Sequence, residues 1–484
     1  MAAHRTKIVA TVGPATSSRA RIRDLLLAGA DVFRINLSHG ERADHARLVE
    51  TIRAVARERG RFPAILVDLQ GPRVRLGKLE SGTVRVRRGD RVDLVGDGAA
   101  ARPDALRIPV TYARLARDVR PGHRILVADG AIELRVRGVA RNGRVETVVR
   151  VGGPLASSKG INLPDSSVSI PTLTARDRRD ITFAAREGVE WVGVSFVRSA
   201  DDLHLARRLL ARAGSGAGVV AKIERREAVR NLTEILEAAD AVMVARGDLA
   251  IEVGYETVPV LQKRILREAN ALGRPSITAT QMLESMIESP RPTRAEASDV
   301  ANAIFDGTDA VMLSGETAIG RFPVTAVRTM QRIASRAERE LESRGFPVAE
   351  VAARDRARSA LARAAIRTAA EIGATRIVPF TLTGDSARRV SRERPVAPIV
   401  AAASSEEVGR RLALAWGVRP LLVPHGDSLP RLVARAEAAL VRAREVRAGD
   451  RLVFLAGTSR IPGGTNTLRI HVVAPRRGRR RNVG

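Results

Sequence analysis

A chain of 484 residues exceeds what one hydrophobic core supports, roughly 250 to 300 residues, so two or three domains are expected. With 44% hydrophobic residues, no uncharged apolar run of about 18 residues, no apolar leader and no cysteine, the composition excludes a membrane span and a disulfide-stapled secreted scaffold, and the expected compartment is the cytoplasm. The net charge of +29 would suit nucleic acid, but the arginines are scattered and aromatics for base stacking make up only 3%, so a solvated basic surface is expected and neither a nucleic-acid nor a membrane partner.

Short apolar, β-branched runs alternate with longer helical patterns. In chain order the runs are Lys7 to Val12, Val32 to Asn36, Ala64 to Leu69, Trp191 to Phe196, Val219 to Glu224, Ala241 to Arg246, Ser276 to Thr280 and Ala310 to Ser314. Eight alternating βα units predict a (β/α)8 TIM barrel. Ser199 before Asp201 and Asp202, and Thr293 three residues before Glu296, mark helix starts between them. Between the third and fourth runs the rhythm breaks into period-two alternation, as in VRVRRGDRVDLVGDG and GRVETVVRVGG. Residues 72–168 are therefore read as a small all-β lid domain inserted at the mouth of a barrel formed by residues 1–71 and 169–341. Residues 342–484 read as a C-terminal α/β domain, with runs at Arg376 to Phe380, Ala397 to Ala401, Pro420 to Val423, Arg451 to Leu455 and Leu468 to Val473. The arginine cluster from Arg476 to Arg481 reads as a frayed tail.

Buried parallel strands should be apolar throughout, so polar residues at their ends need a reason. Arg34, Asn36, Asp68, Lys222, Glu224, Arg246, Asp248, Thr280, Ser314 and Glu316 all fall at run ends and would converge on the C-terminal mouth, where barrel enzymes keep their chemistry. Glu224 and Asp248, from neighbouring strands, could share a hard cation such as Mg2+ or Mn2+, and Lys222 lies on the same strand face as Glu224. Of the 82 basic residues only Lys7, Lys78, Lys159, Lys222 and Lys263 are lysines; where arginine is so favoured, a retained lysine marks a place for a compact point charge. Metal, Lys222 and Arg34 together make a phosphoryl-transfer set, and the alternative is a buried ion-pair network at a barrel rim. The histidines show no metal-ligand spacing and read as structural or surface residues.

The strings TKIVATVGPATSS, FRINLSHG, DLQGPRVR, KGINLP, AKIE, MVARGDLA, TATQMLESM, PRPTRAEASDVANAIFDGTDAVMLSGETA and GGTNTLR, spread over residues 6–469, resemble those of the pyruvate kinase family in order. The resemblance implies a barrel, an inserted lid and a C-terminal α/β domain, and transfer of the phosphoryl group of phosphoenolpyruvate to ADP. It also implies site roles. Glu224 and Asp248 would hold Mg2+ or Mn2+, Gly247 would cradle the substrate carboxylate beside Thr280, and Arg34 and Lys222 would grip the moving phosphoryl group. Thr280 or Ser314, through water, would supply the proton to the enolate. Pro14, Arg34, His39, Arg75 and Lys159 would contact the nucleotide. Asn36, Ser38, Asp68 and the Leu69 carbonyl would hold a monovalent cation, usually K+, in the family. Here Arg73 stands where K+-dependent members carry Glu, so K+ is expected to be dispensable. Ala250 replaces the family's usual Gly beside Asp248. The loop with Thr381, Thr383, Gly384 and Ser386 resembles one that binds a phosphorylated allosteric effector; Asp385 argues against fructose 1,6-bisphosphate and leaves AMP, a sugar monophosphate or a plain connecting loop open. Thr293, Arg294 and Glu296 lie in a string that in the family is near a subunit contact, and a homotetramer is the implied assembly. A metal-dependent aldolase or lyase would not need the lid, and a basic regulatory or nucleic-acid-binding protein on a dead scaffold would not keep Arg34, Lys222, Glu224, Asp248 and Thr280 together.

Overall fold

The computed structural model describes residues 4–96, 101–348, 356–424, 428–457 and 464–475; His425 and the Arg476 to Arg481 cluster lie outside the described residues. Eight parallel strands close into a barrel: β1 (Lys7–Val12), β2 (Val32–Asn36), β3 (Ala64–Asp68), β13 (Trp191–Val194), β14 (Gly218–Ile223), β15 (Ala241–Ala245), β16 (Ser276–Ala279) and β17 (Ala310–Leu313), with β1 pairing both β2 and β17. Each is almost continuously buried because helices cover the outside while a second set of side chains fills the inside. The inner filling includes Val9, Leu66, Trp191, Val220, Met243 and Met312. Trp191 needs the space left by a missing side chain: a Cβ at Gly218 would meet its ring at 2.5 Å.

Helix starts follow local chemistry. Reciprocal capping boxes form at Thr174 with Asp177, Ser199 with Asp202 and Thr293 with Glu296, so side chains satisfy amides that the first turn leaves open. The last barrel helix, Pro323–Arg344, runs past the expected break at residue 341 because its amphipathic face stays in contact with the core as far as Leu341.

The insert carries β4 (Val74–Arg75), β5 (Thr83–Val86), β6 (Arg91–Val95), β7 (Leu106–Pro109), β8 (Arg124–Val127), β9 (Ile132–Val139), β10 (Val145–Val151), β11 (Gly153–Ala156) and β12 (Gly160–Asn162). Seven of them form a sheet ordered β4-β12-β8-β9-β10-β6-β7, β5 pairs β11, and the unit has its own apolar core including Leu94, Val127, Leu134 and Val149. The C-terminal domain is a five-stranded sheet, β20-β19-β18-β21-β22, from β18 (Arg376–Thr381), β19 (Ile399–Ala403), β20 (Val418–Leu422), β21 (Arg451–Gly457) and β22 (Thr465–Val472), the last antiparallel to β21. β19 begins two residues later than its run, after Pro398, which has no amide proton for a ladder.

This domain closes the N-terminal end of the barrel. Ala413 and Leu414 pack into the inner core, and the Lys7 ammonium donates to the Val418 carbonyl at 2.9 Å. Arg394 donates to the Gly307 carbonyl at 2.8 Å and pairs with Asp309 at 3.0 Å. Among the described residues no helix is long and apolar enough to cross a membrane.

Candidate active site

The floor of the mouth is a buried polar cluster supplied by β2, β3, β13 and β14. Register puts Asn36 of β2 opposite Asp68 of β3, and Gly193 of β13 opposite the same aspartate. Gly193 matters sterically, since a Cβ there would stand 3.0 Å from Asp68 Oδ1. Asp68, 1% exposed, bridges two cations: Oδ2 accepts from Arg34 Nε at 2.9 Å and Nη2 at 2.5 Å, and Oδ1 lies 3.1 Å from Lys222 Nζ. Burial pushes the Asp68 carboxyl up, but Lys222 and Arg34 outweigh it and hold the group below its ordinary value. Burial likewise opposes the charge on Lys222, and Asp68 and Glu224 outweigh it, so its pKa is raised and the ammonium stays charged. Arg34 also donates to Thr11 Oγ1 at 3.2 Å.

Lys222 Nζ stands 2.9 Å from Glu224 Oε1 and also donates to Ser195 Oγ at 2.7 Å. The other Glu224 oxygen accepts the Phe196 amide at 2.6 Å. Asp248 rises from the first turn of the helix Arg246–Val253 and has no hydrogen bond or ion pair among the described residues. Burial, and secondarily the Asp248 charge, push Glu224 up to about 7 despite Lys222. A buried carboxylate pushed up in part by its neighbour's charge, beside a neighbour whose carboxylate has no hydrogen bond or ion pair among the described residues, fits a hard cation, which needs only one or two carboxylates.

Thr280 follows β16 with φ of 69°, a left-handed conformation unusual for a β-branched residue. Its hydroxyl accepts the Gly247 amide at 2.9 Å and donates to the Ala279 carbonyl at 2.6 Å. The strand ends are clamped by Arg246, which pairs with Asp299 at 2.7 Å and donates to the Thr280 carbonyl at 2.8 Å. The Ser314 amide donates to Glu316 Oε2 at 2.7 Å, and its hydroxyl makes no hydrogen bond among the described residues.

Between floor and lid runs a cleft of about 70 Å³ whose lining includes Arg73, Asp129, Asn162, Phe196, Arg225 and Asp248. Arg73 and Lys159 are exposed and Arg75 half-buried; Gly160, next to Lys159, pairs with Arg75 across β12 and β4. Pro14 and His39 sit exposed on the loops after β1 and β2. The four residues expected around a monovalent cation serve protein partners as well: Asn36 Oδ1 accepts the Ser38 amide at 3.1 Å, the Leu69 carbonyl accepts from Ser195 Oγ at 2.8 Å, and Asp68 bridges its two cations. The loop in the C-terminal domain is remote in the fold, after β18. There Thr381 Oγ1 accepts the Gly384 amide at 2.8 Å, the Ser386 hydroxyl meets Thr465 at 2.6 Å, the Thr383 carbonyl accepts from Arg388 at 3.3 Å, and Asp385 pairs with Arg389 at 2.8 Å. His4, His123 and His471 bond to Asp31, Ser166 and Glu437.

Two residues of the mouth were not singled out from the sequence. Ser195 lies inside an apolar run whose end was read as Phe196, and a hydroxyl at that point was the available signal. Arg225, directly after Glu224, is 9% exposed, and its Nη2 has no hydrogen-bond partner among the described residues. A charged residue directly after a buried strand was the clue.

A family model described as the pyruvate kinase barrel domain matches residues 3–327, and one described as the pyruvate kinase alpha/beta domain matches residues 359–471. Among curated proteins, the chain is 43% identical over 487 residues to a pyruvate kinase of Geobacillus stearothermophilus, covering 99% of this chain and 82% of that protein. It is 45% identical over 487 residues to pyruvate kinase 2 of a Synechocystis species, covering 99% and 81%. With a pyruvate kinase of Mycobacterium tuberculosis it shares 42% over 468 residues, covering 96% and 98%.

Proposed function

The chain belongs to the pyruvate kinase family, a metal-dependent one, and on that premise we propose how its own residues move the phosphoryl group of phosphoenolpyruvate to ADP in glycolysis. The observation that carries the reading is the pair of cations, half-buried Arg34 and buried Lys222, joined by one buried aspartate at the barrel mouth. Glu224 and Asp248 would hold Mg2+ or Mn2+, and the ion would supply neutralisation of the phosphate charge. Arg34 and Lys222 face the transferring group and stabilise the charge spread over it and the enolate. Gly247 and Thr280 receive the substrate carboxylate, for which the Gly247 amide exchanges its bond to Thr280.

Of the two hydroxyls placed to hand on a proton, Ser314 is the freer, because the Thr280 proton is committed to the Ala279 carbonyl. Pro14, His39, Arg75 and Lys159 contact ADP. Residues 72–168 act as the lid over the barrel of 1–71 and 169–341, excluding water so that the donor is not hydrolysed. Residues 342–484 carry an effector loop at Thr381, Thr383, Gly384 and Ser386, and the assembly is a homotetramer in the cytoplasm. Asn36, Ser38, Asp68 and Leu69 form the monovalent-cation position, and the fixed charge of Arg73 makes K+ dispensable.

The test is pyruvate formation from phosphoenolpyruvate with a divalent cation, with and without ADP, in buffer free of K+ and Na+. Pyruvate that requires ADP and is matched by ATP is the expected result. Pyruvate formed without ADP would overturn the kinase mechanism, and activity appearing only on adding K+ would overturn the role of Arg73.

A further inference from the structure

Lys222 is surrounded by charge, and one neutral hydroxyl completes its set of partners. Its three donors meet three oxygens: Asp68 Oδ1 at 3.1 Å and Glu224 Oε1 at 2.9 Å, both charged, and Ser195 Oγ at 2.7 Å. The serine contact is the shortest of the three, and without it the ammonium is held from the carboxylate side alone. Ser195 is itself fixed. It is 3% exposed, and its one proton is donated to the Leu69 carbonyl at 2.8 Å, which turns the oxygen lone pairs toward the ammonium.

The backbone around Ser195 is built to the same end. Phe196 is held at φ of 56° and gives its amide to Glu224 Oε2 at 2.6 Å, so one short segment after β13 steadies both the lysine and the neighbouring carboxylate. That segment lies against Gly71, where a Cβ would come within 2.8 Å of the Phe196 ring and 3.0 Å of Ser195 Cβ. Gly71 is in turn tied by its amide to Asp177 at 3.0 Å. A strained residue, a hydroxyl whose one proton is committed and a glycine leaving it room are the marks of an over-determined position at a functional site.

We propose that Ser195 is a positioning residue for Lys222, setting the direction in which the ammonium meets the transferring phosphoryl group. The proposal rests on the reading of Lys222 as the cation facing that group. Ser195 acts through Lys222 and has no contact with substrate of its own. Removing the hydroxyl leaves the ammonium charged and buried but free to lean between its two carboxylates. Displacement of about 1 Å from productive geometry costs on the order of 100-fold in rate, so Ser195→Ala is expected to lower kcat by about 10 to 100-fold. Binding of either substrate should change little, because the charge that attracts them remains.

The experiment compares steady-state kcat and KM for both substrates in the wild type, Ser195→Ala, Ser195→Cys, Lys222→Met and the double variant Ser195→Ala/Lys222→Met, each checked for native circular dichroism. The cysteine variant keeps the volume but is a poor hydrogen-bond acceptor, so it should fall with the alanine variant. In the Lys222→Met background the serine change should cost nothing further, a non-additivity that loss of packing would not produce. Near-normal kcat in both serine variants, with Lys222→Met crippled, would overturn the role of Ser195 and leave that of Lys222 standing. A serine effect that multiplies with the lysine effect would place Ser195 in some other part of the machinery and also overturn the proposal. Near-normal turnover in Lys222→Met would instead remove the premise.

Discussion

The floor and the lid side of the mouth both carry basic residues, and they carry them in opposite states. On the floor, Arg34 is half-buried and Lys222 buried, and both are already engaged by Asp68, with Lys222 also held by Glu224 and Ser195. On the lid side, Arg73 and Lys159 are exposed, and Lys159 has no side-chain partner among the described residues. The floor cations are fixed before any ligand arrives, as electrostatic stabilisation of a transition state requires. The exposed cations keep their freedom, which in the proposed mechanism lets a ligand order them as the insert closes.

If that contrast holds, substitutions on the two sides should separate into losses of turnover and losses of binding. The largest effect belongs to Lys222→Met, expected to cut kcat at least about 100 to 1,000-fold, the scale for losing one transition-state donor. Near-normal turnover would show that the floor is structural. Asp68→Ala comes next, because it takes the carboxylate from half-buried Arg34 and one of two carboxylates from buried Lys222; unfolding in urea should register a loss of about 3 to 5 kcal/mol, the range for breaking a buried pair from one side. A loss below about 1 kcal/mol, the level of exposed pairs, would mean that the floor is not preorganised by Asp68.

On the lid side, Lys159→Met should raise KM for ADP about tenfold, the equivalent of about 1.4 kcal/mol of binding, with stability unchanged within about 0.5 kcal/mol. An unaltered KM would dissociate Lys159 from the nucleotide. The smallest effect concerns the lid's own stability. Arg124 hydrogen-bonds Asp165 and, against partial burial, holds its carboxyl below the ordinary value. A group whose pKa is lower folded than unfolded contributes above the unfolded pKa and loses that contribution as pH falls through the folded value, so the effect should fade from about pH 4 downward. Both side chains are about a third exposed, which limits the pair to about 1 kcal/mol at most, read as a flatter dependence of urea midpoint on pH in Asp165→Asn.

Much of this was visible along the chain. Apolar runs interrupted by polar ends located all eight barrel strands to within a residue or two, because burial on both faces leaves no other pattern available to a parallel barrel. Period-two alternation located the β insert for the same kind of reason. Long motif strings carried the family, and polar residues at the run ends picked out Lys222, Glu224 and Asp248 as the candidates that the structure brings to the mouth.

What stayed hidden was contact between segments far apart in sequence. That Asp68 spans Arg34 and Lys222 depends on four strands, β2, β3, β13 and β14, meeting in one register, and Ser195 reaches Lys222 across 27 positions of chain. The left-handed backbone at Phe196 and Thr280 has no signature in residue type, since neither is a residue that favours it. The sealing of the lower barrel by Ala413 and Leu414 also arises from the packing of one domain against another. Periodicity and motif are local and can be read in order. Charge pairing, strain and closure are properties of neighbours in space, and they exist once the barrel has brought its strand ends together.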